Sequence, residues 1–288
     1  MALSGITATT RVAVLGAGTM GHGIAHAAIA AGFATALYDV DTAAVARGRQ
    51  AIEGIVRKGV ELGKVSATDA DAMLQRLSAT TSLGEALEHA GFVIEAAPER
   101  IDLKLTLFRE IQRLAPASAV IASNTSALSI TEMAGSLDDP SRVAGMHFFN
   151  PVHKMKLIEI VQALETAPAA LAAVEAVARA MGKETVLVRE SPGFITTRVN
   201  ASIGNEAFYM LMEGVASARD IDKALKLGLN HPMGPFELVD LVGLDTRLSI
   251  LEYLHRSLGE KYRPCPLLAQ YVKAGRLGRK VGRGVYDY

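Results

Sequence analysis

Cysteine is almost missing: Cys265 is the only one in 288 residues, so the chain can close no internal disulfide. That fits a reducing compartment. The setting Pro264-Cys265-Pro266 has no histidine beside it in sequence, which argues against a thiol nucleophile. An excess of charge of one sign is missing too. Thirty Lys and Arg balance thirty Asp and Glu, so no global field marks nucleic acid or an anionic membrane as a partner. Any anionic ligand must be held by a local arrangement of groups. No apolar run reaches the ~20 residues that a bilayer span needs. The opening MALSGITATTRVAVLG lacks the basic head, apolar stretch and cleavage site of a secretory signal. No internal repeat or low-complexity tract is present. These absences predict a soluble, cytoplasmic protein.

Apolar residues make up 50% of the chain, ample for a core, and the length suits two domains, since one core rarely grows beyond about 250–300 residues. The first half alternates short β-branched runs with longer helical patterns, the signature of a parallel sheet with crossover helices. Strands are predicted at 11–15, 35–38, 92–95, 119–122, 142–149, 156–161 and 185–188. Helices are predicted after Met20, up to about Leu62, at 101–114 and at 168–181, the last ending at Gly182. Ser191-Pro192-Gly193 breaks the pattern. Beyond it no strand is evident, and 196–213, 217–228, 235–257 and 264–274 read as helices. The predicted division is an α/β domain over 1–189 and an all-helical domain over 190–288.

The strand Val12-Ala13-Val14-Leu15 runs straight into Gly16-Ala17-Gly18-Thr19-Met20-Gly21. A lone G-x-G-x-x-G is weak evidence, but this one follows a strand and opens a helix at the start of a βαβ unit. Gly16 permits the tight turn, Gly18 lets the backbone approach a pyrophosphate, and Gly21 lets the helix pack closely. The helix N-terminus presents N–H groups and partial positive charge to the phosphates. The second strand ends at Asp39, whose carboxylate can accept bonds from ribose hydroxyls and would repel a 2′-phosphate. NAD is therefore favoured over NADP. The Lys-Ser/Thr of a nucleotide-triphosphate loop is missing after the glycines.

His147 lies near the C-terminal end of its strand, where open α/β sheets bind ligands. A neutral imidazole suits removal of a hydroxyl proton while hydride leaves the same carbon. Glu159 sits inside the apolar run Leu157-Ile158-Glu159-Ile160-Val161, where an ionised carboxylate is costly without a partner. His147 is the obvious candidate. Taken singly, a core histidine and a glutamate facing water from an edge strand are equally open readings. Ser123-Asn124-Thr125-Ser126 follows a strand and either binds a substrate oxygen or caps the next helix. His22 and His26 share a helix face, but the intervening Gly23-Ile24-Ala25 lacks the glutamate of a zinc-hydrolase helix, so no metal site is expected.

Several blocks together resemble the short form of the L-3-hydroxyacyl-CoA dehydrogenase family, which includes 3-hydroxybutyryl-CoA dehydrogenases. They are VLGAGTMGHGIA, SNTSALSI, GMHFFNPVHKMKLIEI, SPGFI, LGLNHPMGPFELVDLVGLD and GRKVGRGVYDY, in order from Arg11 to Tyr288. The resemblance implies a Rossmann-type NAD domain followed by a helical domain that binds substrate and forms most of a homodimer contact. It implies an acyl-CoA substrate. His147 looks like the catalytic base, Glu159 like its orienting carboxylate and Ser126 like a hydroxyl that contacts substrate. Asp39, Glu99, Lys104, Asn150 and Lys280 look like residues that line the NAD site beside Gly16–Gly21. By itself Lys104 also reads as one charge on an exposed helix face, and Lys280 as part of a solvated basic tail. In one place the chain departs from the family, which usually has asparagine two residues after the isoleucine of Pro-Gly-Phe-Ile. Here that position is Thr197, and Asn200 is the nearest amide, one helical turn on. The departure bears on substrate preference, as for a branch that handles an intermediate of ring degradation, more than on reaction type. Arg47, Arg49, Arg57, Lys58 and Lys64 could meet CoA phosphates or form a solvated helix face.

The reading is reversible oxidation of an L-3-hydroxyacyl-CoA to the 3-ketoacyl-CoA. Two rivals stand beside it: a dehydrogenase of a free hydroxy or sugar acid, of the gulonate type, and a non-catalytic NAD-binding protein.

Overall fold

The strand before the glycine turn is an interior strand of the first unit's sheet. In β1 (Arg11–Leu15) every side chain after the first is buried. It lies between β2 (Thr35–Tyr38) and β4 (Ala90–Glu95) and runs parallel to both. Strands covered on both faces read as continuous apolar runs, as Val12–Leu15 and Phe92–Ile94 do. In this computed structural model residues 6, 7 and 9–288 are described. The expectation that no secretory signal opens the chain falls partly on residues outside that set, 1–5 and 8. The chain divides into units of residues 1–190 and 191–288.

In the first unit one sheet has the strand order β3-β2-β1-β4-β5-β6-β7-β8, with β3 at Leu77–Thr80, β5 at Val120–Ser123, β6 at Val143–Phe148, β7 at Leu157–Gln162 and β8 at Glu184–Arg189. The first six strands are parallel. β7 is antiparallel to β6, and β8 runs parallel to β7. The chain reverses its direction of build between β1 and β4, the position where such sheets bind ligands at their carboxyl ends. Around the sheet lie α1 (Thr19–Ala30), α2 (Thr42–Glu61), α3 (Ala67–Gln75), α4 (Leu83–Leu87), α5 (Ile101–Leu114), α6 (Ile130–Ala134) and α7 (Pro168–Ala180). α2 shows the physics of the layer. Val45, Gly48, Ile52 and Val56 face inward at helical spacing, and the opposite face carries charge.

The second unit contains α8 (Thr196–Met212), α9 (Ala218–Gly228), α10 (Pro235–Val242), α11 (Leu244–Leu258) and α12 (Pro266–Lys273). Its core centres on Phe208, which meets Phe236 edge-on at 5.1 Å and Tyr271 at 5.9 Å between ring centroids. The C-terminal tail folds back onto α10. Buried Asp240 accepts the backbone N–H groups of Val285 and Tyr286 and the Tyr288 hydroxyl.

Three features differ from the sequence reading. The edge strand β3 was not foreseen, because Leu-Ser-Ala-Thr is short and half-exposed. The helices α3, α4 and α6 are too short to show a period. The stretch 235–257, read as one helix, is two. Gly243 adopts φ +108° between α10 and α11, a conformation that a residue with a Cβ resists. Among the described residues no helix is long and apolar enough to cross a membrane.

The register of β6 against β7 depends on a missing side chain. A Cβ on Gly145 would stand 2.7 Å from the Cβ of Val161 and 3.2 Å from Cδ1 of Ile130. Gly145→Ala is expected to lower stability by about 1–3 kcal/mol through overpacking, read by urea denaturation. An unchanged midpoint would show that the two strands spread without cost.

Candidate active site

The glycine turn is bonded to the end of β2. Gly16 N–H donates to the Tyr38 carbonyl at 2.7 Å. Asp39 accepts Ala17 N–H on Oδ2 at 2.8 Å and Asp41 N–H on Oδ1 at 3.2 Å. Gly16 has φ +108°, and a Cβ there would lie 2.5 Å from the Ala96 carbonyl oxygen. A Cβ on Gly21 would strike the Gly16 carbonyl at 1.6 Å, so Gly21 makes room chiefly for the turn and only secondarily for Val14 on the strand. Around Gly18 the space is open. Gly18 is the N-cap of α1, which has no side-chain cap and no acidic residue in its first turn. An uncapped helix end facing a glycine with room above it suits a pyrophosphate, and a carboxylate at the end of β2 suits a ribose. These residues fit NAD.

Beyond the turn, the carboxyl ends of β4 and β5 carry a network that was not foreseen in full. Glu95, the last residue of β4, is fully buried. It accepts Lys104 Nζ and Ala97 N–H on Oε1, both at 2.6 Å, and the Ser123 hydroxyl on Oε2 at 2.5 Å. Lys104 is 1% exposed, which rules out its reading as a charge on a solvated face. Its Nζ also lies 3.5 Å from Glu99. Glu99 in turn accepts the Thr125 hydroxyl at 2.6 Å and the N–H groups of Ser126 and Ala127 at 2.9 and 3.3 Å. The segment Ser123–Ser126 is therefore held by these two carboxylates. Ser129 caps α6 in its place. Ser126 is half-buried. Glu95 sat in plain view at the end of an apolar strand, the same signal that singled out Glu159.

The antiparallel pairing of β6 with β7 sets His147 directly opposite Glu159. His147 Nδ1 lies 2.7 Å from Glu159 Oε2. His147 is 5% exposed and Glu159 fully buried. Where Glu159 is ionised it can only accept, and Nδ1 is then the donor of this hydrogen bond. Asn124, after β5, accepts Phe148 N–H on Oδ1 at 2.9 Å and so anchors the end of β6. The Phe149 ring lies 4.6 Å from the imidazole, centroid to centroid.

The other expected residues are dispersed. Asn150 is exposed. In the helical unit, Thr197 is half-buried and Asn200 exposed, both in the first turns of α8. Lys280 makes a close double contact with Asp245, at 2.7 and 2.6 Å. On α2, Arg49 and Lys58 pair with Glu53 and Glu61, while Arg47 reaches back to Asp41. Cys265 is buried, and burial pushes its thiol up, away from the reactive thiolate. His22 Nδ1 contacts the Gly18 carbonyl at 2.9 Å. His26 Nδ1 is buried without a hydrogen-bond partner. Burial, with His153 and Lys183 nearby, holds its imidazole down at about 4.

Two family models match this chain: the 3-hydroxyacyl-CoA dehydrogenase NAD binding domain over residues 11–191 and its C-terminal domain over 193–288. The chain belongs to the 3-hydroxyacyl-CoA dehydrogenase family. It is an NAD-dependent oxidoreductase acting on a CH–OH group. It is 48% identical over 279 residues to a probable 3-hydroxybutyryl-CoA dehydrogenase of Bacillus subtilis, covering 96% of this chain and 97% of that one. It is 40% identical to a 3-hydroxyadipyl-CoA dehydrogenase of Escherichia coli, covering 96% of this chain and 58% of the other. The crystal structure of an (S)-3-hydroxybutyryl-CoA dehydrogenase from Ralstonia eutropha superposes with TM-score 0.93 at 42% identity, covering 97% and 99% of the two chains.

Two outcomes are expected of this dehydrogenase. Glu95→Ala removes the nearer carboxylate of buried Lys104 and leaves it only the longer contact with Glu99, with Ser123 and Ala97 N–H also losing their acceptor, so it should cost about 2–4 kcal/mol in urea unfolding; a loss under 1 kcal/mol would mean that Glu99 alone compensates the charge. Separately, His26 is neutral in the folded state down to about pH 4, whereas its ordinary value is 6.5. The unfolded chain thus binds a proton first, and stability present above pH 6.5 is lost as the pH falls toward 4. The loss from this group is about 3 kcal/mol. His26→Leu should flatten that part of the stability profile, measured by denaturant unfolding at pH 7 and pH 4.5.

Proposed function

We propose that the protein oxidises the 3-hydroxyl of a short-chain L-3-hydroxyacyl-CoA, reversibly, with His147 as the catalytic base. The reading is carried by one observation: the 2.7 Å contact between His147 Nδ1 and Glu159 Oε2 at the carboxyl end of the sheet. With Nδ1 committed to Glu159, Nε2 takes the hydroxyl proton. Glu159 then lies against the imidazolium that forms and stabilises it in a site with little water. Ser126 holds the substrate oxygen. Gly16–Gly21 and Asp39 would hold the pyrophosphate and adenosine ribose of NAD, with Glu99, Lys104 and Asn150 lining the rest of its site, and the bound cofactor would supply the hydride acceptor for the same carbon. Lys280 keeps the part in binding NAD, and Thr197 and Asn200 the part in binding substrate, that the resemblance implies for them.

The acyl groups named for the relatives are short, 3-hydroxybutyryl and 3-hydroxyadipyl. They support a CoA thioester over a free sugar acid. We assign the homodimer contact to the helical unit, where Val215, Leu227, Leu229 and Leu241 are exposed. A lone, buried cysteine is in keeping with a reducing cytoplasm.

General-base catalysis is worth about 10²–10⁴-fold. His147→Ala should therefore lower kcat at least about a hundredfold while NAD affinity, measured by calorimetry, stays within a few fold. Near-normal turnover would remove His147 from the mechanism. NADH formation is expected with 3-hydroxybutyryl-CoA and not with gulonate.

A further inference from the structure

Lys183 carries a charge that no carboxylate answers. It follows Gly182, which turns the chain at φ +69° after α7, and it precedes β8. The side chain is half-buried, and among the described residues it makes no ion pair. Its Nζ donates instead to two backbone carbonyls, that of Val152 at 2.5 Å and that of Met155 at 2.8 Å. Burial lowers the ammonium from its ordinary value. Hydrogen bonds from a charged donor are the stronger kind, and both of these fall on one short segment, residues 149–156, which joins β6 to β7.

The topology puts that segment beside the proposed chemistry. β7 and β8 run opposite to β6, so they begin at the edge of the sheet where β6 ends. The segment opens with Phe149, whose ring lies 4.6 Å from the His147 imidazole, and with Asn150. It then turns tightly: the N–H groups of Lys154 and Met155 both donate to the Pro151 carbonyl, at 2.9 and 3.0 Å. Val152, 2% exposed, packs against α1, where a Cβ on Gly23 would stand 2.9 Å from its Cγ2. Lys183 grips the carbonyls of the same turn. Residues 149–156 belong to no strand or helix, so their place depends on contacts of this kind. A free lysine in water makes its hydrogen bonds to solvent. Here the ammonium is spent on backbone two and five residues beyond Asn150.

We propose that Lys183 is a positioning residue for the dehydrogenase reaction: its ammonium fixes the turn after β6, and through it the place of Phe149 against the imidazole and of Asn150 in the NAD site. This rests on the reading above of His147 as the base and Asn150 as a residue of the NAD site. Lys183 acts through the backbone of Val152 and Met155 and takes no part in proton or hydride transfer.

The test is steady-state NADH formation from 3-hydroxybutyryl-CoA, well below the unfolding temperature. Lys183→Met keeps the apolar stem and removes the charge. It should raise KM for NAD and lower kcat, about tenfold each, since a small misplacement of reacting groups can cost about a hundredfold, while KM for the thioester stays within about threefold. Lys183→Cys treated with bromoethylamine rebuilds an ammonium at the same reach and should recover most of kcat. Iodoacetamide fills the space without a charge and should not; Cys265 is buried and is spared. A merely structural role predicts less folded protein with both constants unmoved, or equal recovery by the two reagents, and either result overturns the proposal. Adding Lys183→Met to Asn150→Ala should lower kcat/KM for NAD no more than about threefold further, whereas full multiplication of the two losses overturns it. The wild type alone gives a check that no misfolded variant can remove: amides of residues 152–155 should be protected from hydrogen–deuterium exchange at least about tenfold, and unprotected exchange there overturns the proposal. Unaltered kinetics in Lys183→Met, with an active wild type, refute this inference and spare the reading it rests on. No NADH from the wild type with any 3-hydroxyacyl-CoA refutes that reading instead.

Discussion

A hydrogen bond between an imidazole and a carboxylate across two antiparallel strands organises the proposed active site of this molecule. Directly opposed residues in such a pair bring their Cβ atoms within about 4.5–5.5 Å, close enough for His147 Nδ1 to reach Glu159 Oε2. The contact exists only in one register. A slip by one residue would turn Glu159 to the other face of the sheet. The register is held from both ends of β6. At one, Gly145 packs against Val161 with no room for a side chain. At the other, Asn124 accepts the Phe148 N–H. The reversal of direction at β7, in an otherwise parallel half-sheet, is what makes the opposition possible.

A second layer of buried charge surrounds the proposed nucleotide site. Glu95 and Lys104 form a dry ion pair, and such pairs are weak contributors to stability, since desolvation offsets most of the attraction. Their effect here is on shape. Glu95 ties the end of β4 to Ala97, to α5 through Lys104 and to β5 through Ser123. Glu99 gathers the N–H groups that follow. The Gly16 turn leans on the Ala96 carbonyl in the same corner. Three strand ends are thus locked at one level, which sets the geometry of the proposed site with little help from flexible loops.

Much of this was legible in the residue order. The turn at Gly16–Gly21 announces itself because its parts are local: strand, glycines and helix follow within a few residues, and Asp39 marks the next strand end. The apolar run around Glu159 flagged a buried carboxylate for the same reason. Less visible were elements without enough length to show a period, namely β3 and α6, and the break at Gly243, where helical patterns on either side run on in phase. Glu95 escaped notice although it ends an apolar strand, because the interest of its position depends on Lys104 and Ser123, which are distant from one another in sequence.

The sequence by itself determined the class of fold, the nucleotide turn, the change from sheet to helices near residue 190 and the family. All of these rest on local patterns, and local patterns are written in consecutive residues. Only the tertiary structure decided which buried charges have partners. Lys104 read either as a residue of the NAD site or as a charge on an exposed helix face, and it is buried against Glu95; Arg247 drew no attention, and its buried Nε has no hydrogen-bond partner among the described residues. The reason is that burial and pairing are properties of residues brought together from far apart. The cost of an unpaired charge appears only when water has been excluded around it.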